Sequence, residues 1–211
     1  MTRAVIFDCD GVLVDTELIS NTVLGALLTK AGLPRTLEDC MREYRGRSIA
    51  SVLEIAERDF GAAMPFDVAE RYYAEVAEVF ARELEPVPGV VAALDRISLP
   101  SCVASSGPHH KMAVTLRTTG LWERFEGRIF SATEVAAGKP APDLFLHAAE
   151  RMGFDPASTA VVEDSLPGVQ AAVAAGMRAL AFTRQSEPAE LQAAGGEPFA
   201  DMAELPALLQ A

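Results

Sequence analysis

Ala4-Val5-Ile6-Phe7-Asp8-Cys9-Asp10-Gly11 passes from apolar to acidic residues within one short stretch. The apolar run fits a strand buried in a sheet, and the polar residues mark where it opens into a loop at Gly11. The same rhythm returns downstream. Ser101 to Ser105, Arg128 to Phe130, Thr159 to Glu163 and Arg178 to Phe182 read as strands. Lys111 to Thr119, Asp143 to Met152 and Leu166 to Ala175 read as helices, the last closed by Gly176. Strands alternating with helices imply right-handed crossovers and a parallel sheet, so the fold class expected is α/β.

Between the first strand and the rest lies a segment of a different kind. Thr16 to Ala31 is helical in pattern, with Leu18, Val23, Leu24, Leu27 and Leu28 read on one side and Gly32 as a stop. Residues 36 to 84 hold no convincing strand and read as helices, for example Ser48 to Phe60 and Phe66 to Leu84. Glu85-Pro86-Val87-Pro88-Gly89 then breaks the pattern. The expectation is a core of residues 1–15 and 87–211 and an all-helical insert of residues 16–86, roughly 70 residues, a size a core tolerates as a separate unit. The chain crosses between them at Val14 to Leu18 and at Glu85 to Gly89.

Composition narrows the function. The chain has 211 residues, half of them apolar, and a net charge of −12. An acidic surface repels phosphate backbones, so nucleic-acid binding is not expected. No apolar run approaches the ~18 residues of a membrane span, and the N-terminal apolar run is too short for a signal-peptide core. A soluble, cytoplasmic protein is expected, as a monomer or weak dimer. Cys9, Cys40 and Cys102 form no C-x-x-C pair and read as reduced, buried thiols.

In a parallel sheet, ligands bind at the carboxyl ends of strands. Three of the strands end in Asp8 and Asp10, in Ser105-Ser106-Gly107, and in Glu163-Asp164-Ser165; Gly138-Lys139-Pro140 lies in a loop after another. Gathering Asp8, Asp10, Glu163 and Asp164 costs several kcal/mol unless a cation compensates, and hard oxygen ligands favour Mg²⁺. Lys139 adds a positive point charge, Ser105 a hydroxyl, and the amides after Asp8 an anion nest eased by Gly11. That inventory suits a phosphoryl group. One carboxylate can attack phosphorus while a second handles the proton of the leaving oxygen and of water, and Asp8 and Asp10 can fill these roles. The plainer readings are a solvent-binding acid pair, a surface Lys139 and a helix-capping Ser105.

Asp8-Cys9-Asp10-Gly11-Val12-Leu13-Val14-Asp15-Thr16 resembles the first motif of the haloacid dehalogenase superfamily. Ser105 stands where its second motif has Ser or Thr. Gly138-Lys139-Pro140-Ala141-Pro142-Asp143 resembles the third, and Glu163-Asp164-Ser165, with Gly168 three further on, the fourth. The match keeps the family's order from residue 3 to about residue 185. The resemblance implies a Rossmann-like core, Mg²⁺, Asp8 as nucleophile, Asp10 as acid and base, and Asp164 as a metal ligand beside Asp8 and the Asp10 carbonyl. Glu163 is added as a metal-site residue, through water or by orienting Lys139. The insert resembles the family's C1 cap, and the whole is similar to the β-phosphoglucomutase-like branch. Within it the chain resembles bacterial sugar-phosphate phosphatases of the 6-phosphogluconate phosphatase kind, chiefly through Cys102 to Met112.

Arg45-Gly46-Arg47-Ser48 looks like that branch's substrate-specificity loop, so Arg45, Gly46 and Arg47 join Gly11, Thr16, Ser106 and Gly107 as substrate-binding candidates. Asp15 reads as a hinge capping the next helix. His109, His110 and His147 read as structural or surface residues, and Trp122 and Phe125 as packing. Members that are β-phosphoglucomutases carry a His four residues after the Thr and an Arg after the cap-loop Ser; here those positions are Ser20 and Ile49. The expected activity is therefore Mg²⁺-dependent hydrolysis of small phosphorylated sugars or sugar acids, such as 6-phosphogluconate. The alternatives are a phosphomutase of the same fold and a non-catalytic phosphosugar-binding protein.

Overall fold

The computed structural model describes residues 1–44, 49–184 and 186–210. The chain divides into two compact units, one of Met1–Val14 with Glu85–Ala211 and one of Asp15–Leu84.

The first unit is built on six parallel strands: β1 (Ala4–Phe7), β2 (Ser101–Ser105), β3 (Ile129–Ser131), β4 (Thr159–Glu163), β5 (Arg178–Phe182) and β6 (Glu197–Phe199). They lie in the order β3-β2-β1-β4-β5-β6. β1 is central, which is why all four of its residues are apolar and buried. The winding reverses between β1 and β4, and a reversal of this kind opens a crevice at the strands' carboxyl ends. The register pairs Phe7 with Val162, so the residues that follow both strands emerge side by side.

The strand at Arg128 to Phe130 forms one residue later, at Ile129–Ser131, because the Ser131 backbone extends the ladder opposite Ser105. β6 was not foreseen; it is a three-residue edge strand that tolerates Pro198. Helices flanking the sheet include α5 (Val90–Arg96), α6 (His109–Thr118), α7 (Trp122–Phe125), α8 (Asp143–Met152), α9 (Leu166–Ala174), α10 (Pro188–Ala193) and α11 (Leu205–Leu208), numbered after the four of the other unit. Leu144, Phe145, Ala148 and Ala149 of α8 and Val169, Ala171 and Ala172 of α9 bury one core with Ile6, Cys102, Ala104 and Val161. Phe7 packs edge-on against Phe125, with ring centroids 5.9 Å apart. Cys9, Cys40 and Cys102 are free and buried.

The second unit holds α1 (Thr16–Lys30), α2 (Leu37–Glu43), α3 (Ile49–Phe60) and α4 (Val68–Glu83). α1 buries Val23, Leu24, Leu27 and Leu28, whose spacing puts them on one face. Leu18 does not belong to that face and is 53 % exposed, because at 3.6 residues per turn it projects about 150° away from the centre of that set. Gly32 follows the helix at φ 96°, a conformation that only glycine adopts cheaply. α2 is fixed by a capping box: Thr36 accepts from the Asp39 amide and Asp39 accepts from the Thr36 amide. Among the described residues no helix is long and apolar enough to cross a membrane.

Candidate active site

The ends of β1 and β4 bring their acids together. The Asp8 amide donates to the Val162 carbonyl at 2.9 Å, extending the ladder one step past β1 and aligning Asp8 with Glu163. Carboxyl oxygens of Asp8, Glu163 and Asp164 lie within 4.8 Å of one another, and all three residues are buried. Gly11, at φ 79°, lets the loop after Asp10 turn beneath Asp164; a Cβ there would sit 2.2 Å from Asp164 Oδ2. Gly168 gives Glu163 its room in the same way, since a Cβ would lie 1.9 Å from the Glu163 carboxyl carbon.

Lys139 reaches this cluster from the loop before α8. Its ammonium donates to Asp8 Oδ1 and to Glu163 Oε1, each at 2.5 Å, and lies 3.4 Å from the Ala104 carbonyl, next to Ser105. The Lys139 side chain is only 5 % exposed, so it is no ordinary surface lysine. The other Glu163 oxygen accepts from the Ser165 amide at 2.8 Å and from its hydroxyl at 2.9 Å, and Ser165 caps α9 by accepting from the Gly168 amide. Glu163 is thus held from two sides and orients Lys139.

Two buried carboxylates, Asp8 and Glu163, share one ammonium. Burial raises the Asp8 carboxyl from 3.8 to about 7, helped by repulsion from Glu163 and Asp10 and opposed by Lys139. Burial pulls the Lys139 ammonium down, but Asp8 and Glu163 more than reverse it, so its pKa lies above the usual lysine value. An all-oxygen set of three buried carboxyls with this accumulated negative charge fits a hard divalent cation.

Ser105 ends β2 and is buried. Its oxygen accepts from the Gly107 amide at 3.1 Å, which leaves the hydroxyl proton to an outside acceptor. It does not cap a helix: α6 begins after Pro108. Gly107 is buried and Ser106 exposed. A Cβ on Gly107 would lie 3.8 Å from Asp10 Oδ2 and 3.5 Å from Ser105 Oγ, which places Asp10 beside the β2 loop. Thr16 opens α1 in the other unit and is buried; Asp15 precedes it without a side-chain cap bond. Arg45, Gly46 and Arg47 lie outside the described residues.

Two further groups of contacts surround the site. Lys111, on the first turn of α6, donates to Asp10 Oδ2 at 2.7 Å. Glu134 accepts from the Ser131 amide at 2.6 Å, lies 2.7 Å from His109 Nε2 and 3.3 Å from His147 Nε2. His109 and His147 therefore tie three segments together around one carboxylate. Lys111 lies within the run from Cys102 to Met112, but nothing in its local spacing reports a partner at the end of β1.

The sequence pattern described as haloacid dehalogenase-like hydrolase matches residues 2–176. The chain is 31 % identical to the 6-phosphogluconate phosphatase of Escherichia coli over 99 % of its own length and 95 % of that protein. It is 32 % identical to a phosphorylated carbohydrates phosphatase of Thermotoga maritima, over 83 % of this chain and 82 % of the relative. A crystal structure of a conserved haloacid dehalogenase-like protein of unknown function from Agrobacterium tumefaciens superposes with a TM-score of 0.91 at 33 % identity, covering 100 % of this chain and 98 % of that one. With the acid-bearing strand ends, the buried lysine and the reversed sheet order already in place, these matches identify the chain as a member of the haloacid dehalogenase-like hydrolases.

Proposed function

We propose that this chain is a Mg²⁺-dependent phosphatase that hydrolyses small phosphorylated sugars or sugar acids, such as 6-phosphogluconate, through an aspartyl phosphate. The observation that carries the reading is the buried Lys139 ammonium 2.5 Å from both Asp8 and Glu163, with Asp164 in the same cluster. The named relatives, a 6-phosphogluconate phosphatase and a phosphorylated carbohydrates phosphatase, support the substrate class.

In this mechanism an Asp8 oxygen attacks phosphorus, the bond from phosphorus to the sugar oxygen breaks, and Asp10 gives its proton to that oxygen. Water then attacks the phosphoryl group, Asp10 takes a proton from it, and the bond to Asp8 breaks, releasing phosphate. Lys139 and the Ser105 hydroxyl bind phosphoryl oxygens as charge develops there, with the amides near Gly11, Ser106 and Gly107 as further donors. Asp8, Asp164 and the Asp10 carbonyl would hold Mg²⁺, with Glu163 beside them. When bound, the ion supplies charge shielding between the Asp8 carboxylate and the phosphate dianion and polarises a phosphoryl oxygen.

Residues 16–86 serve in this reading as the cap that selects the substrate, with Thr16, Arg45, Gly46 and Arg47 as its contacts. Ser20 and Ile49, in place of the His and Arg of β-phosphoglucomutases, support water rather than a second sugar oxygen as acceptor. Phosphate release from a panel of sugar phosphates with Mg²⁺ tests the proposal. Asp8→Asn is expected to abolish turnover across the panel; surviving turnover would sink the mechanism.

A further inference from the structure

Lys111 belongs to none of the motifs that define the site. We propose that Lys111 is a positioning residue that holds the Asp10 carboxyl where it exchanges a proton with the leaving oxygen. The inference rests on the reading above, in which Asp10 is the acid and base.

The Lys111 ammonium donates to Asp10 Oδ2 at 2.7 Å across 101 residues of sequence. The pair is about one third exposed on the lysine side, and such pairs contribute little to folding stability. What it fixes is direction. Asp10 sits on the loop after β1, and the bond to its Oδ2 restricts how the carboxyl can rotate. The lysine stem runs beside Gly107: a Cβ there would meet Lys111 Cδ at 3.4 Å, Ser105 Oγ at 3.5 Å and Asp10 Oδ2 at 3.8 Å. The stem, the phosphate-binding hydroxyl and the acid thus converge around Gly107.

The turn that carries Lys111 is itself anchored. The Lys111 amide donates to the Pro108 carbonyl at 3.0 Å. His109, two residues earlier, lies 2.7 Å from Glu134, and Glu134 is fixed by the Ser131 amide and faces His147. The Ser131 hydroxyl donates to the Gly107 carbonyl at 2.8 Å. The segment that leads to Lys111 is therefore pinned at Gly107 to the end of β3 and at His109 to the turn that follows it. A long side chain projecting from a pinned turn places its charge reproducibly, and catalytic carboxyls need such support.

The test combines crystal structures of the wild type and Lys111→Met with kcat/KM on two esters. A hexose 6-phosphate has an alkoxide leaving group that needs a proton; p-nitrophenyl phosphate does not. Because kcat/KM covers only steps up to aspartyl-phosphate formation, it isolates the acid role of Asp10. Lys111→Met is expected to lower kcat/KM on the sugar ester about tenfold to a hundredfold and on the aryl ester by less than about threefold. Lys111→Arg should recover most of the loss. The Asp10 carboxyl is expected to be displaced in the Lys111→Met crystal. Equal losses on both esters, or an unmoved Asp10, would overturn the proposal. Absence of turnover by the wild type would instead overturn the phosphatase reading, while the Asp10 position in the variant crystal still decides this one.

Discussion

The two units of the molecule spend charge in opposite ways. In the helical unit, Arg42 pairs with Asp39 and Glu43 on the surface, its side chain 59 % exposed, and Arg35 with Asp59 and Glu43 at the periphery. In the sheet unit, Lys139 pairs with Asp8 and Glu163, and the Glu163 side chain is 1 % exposed. Surface pairs are screened by water and contribute little, whereas buried charges lose solvation that their partners only partly return. A fold does not retain the second arrangement for stability. It marks where charge is concentrated for chemistry, at the point where the sheet reverses between β1 and β4.

The largest effect expected from breaking this contrast is at Lys139. Lys139→Met leaves Asp8 and Glu163 buried without their shared cation, and breaking such a pair costs about 3–5 kcal/mol before protonation relieves it. Denaturant unfolding should show most of that loss, and phosphate release should fall about a hundredfold or more. Gly168→Ala comes next. Its Cβ would collide with the Glu163 carboxyl, so Glu163 must shift and Lys139 loses its orienting partner. A loss of about 1–3 kcal/mol in unfolding free energy is expected, with activity falling alongside.

Metal binding sharpens the comparison through pH. Asp8 titrates near 3.8 in an unfolded chain and at about 7 in the folded, metal-free protein, chiefly because of burial. The folded state therefore holds an extra proton between those values, and Asp8 makes the metal-free protein less stable as pH rises through that window. Mg²⁺ competes with that proton. The rise in melting temperature caused by Mg²⁺ should be larger well above pH 7 than well below it, and chelation should reverse it. A rise independent of pH would detach the cation from Asp8.

The smallest effects belong to the helical unit. Thr36→Ala removes the cap of α2 and should cost about 1 kcal/mol. Arg42→Ala should leave the melting temperature nearly unchanged, in contrast to Lys139→Met. A large effect there would mean that the surface pairs are not as cheap as their exposure implies.

The sequence exposed those features whose cause is local. Ala4 to Phe7 and Ala160 to Val162 are uniformly apolar because both strands are central and buried on two faces. Their acidic ends, Asp8 and Glu163, follow from the same register. β6 escaped because Glu197-Pro198-Phe199 is short, sits at the edge and has no alternation to detect. α2 falls within residues 36 to 84, which read as helical, but seven residues carry too little periodicity to set its bounds, although Thr36 and Asp39 have capping-box spacing. Leu18 was misplaced by grouping apolar residues without counting the turn. The contacts of Lys111 with Asp10 and of Glu134 with His109 could not be read locally, since they span 101 and 25 residues, although Ser131 and Glu134 have capping-box spacing. Such pairings are set by which strand ends meet, and only the fold supplies that.

The central claim is that Asp8 becomes covalently phosphorylated. Rapid acid quench of the enzyme turning over a sugar phosphate with Mg²⁺, followed by peptide mass analysis, tests it directly. The account predicts a phosphoryl adduct on the peptide carrying Asp8, absent from Asp8→Asn and increased when Asp10 is replaced and p-nitrophenyl phosphate is the substrate. Undiminished turnover by Asp8→Asn, or an adduct that forms on another residue, would contradict it.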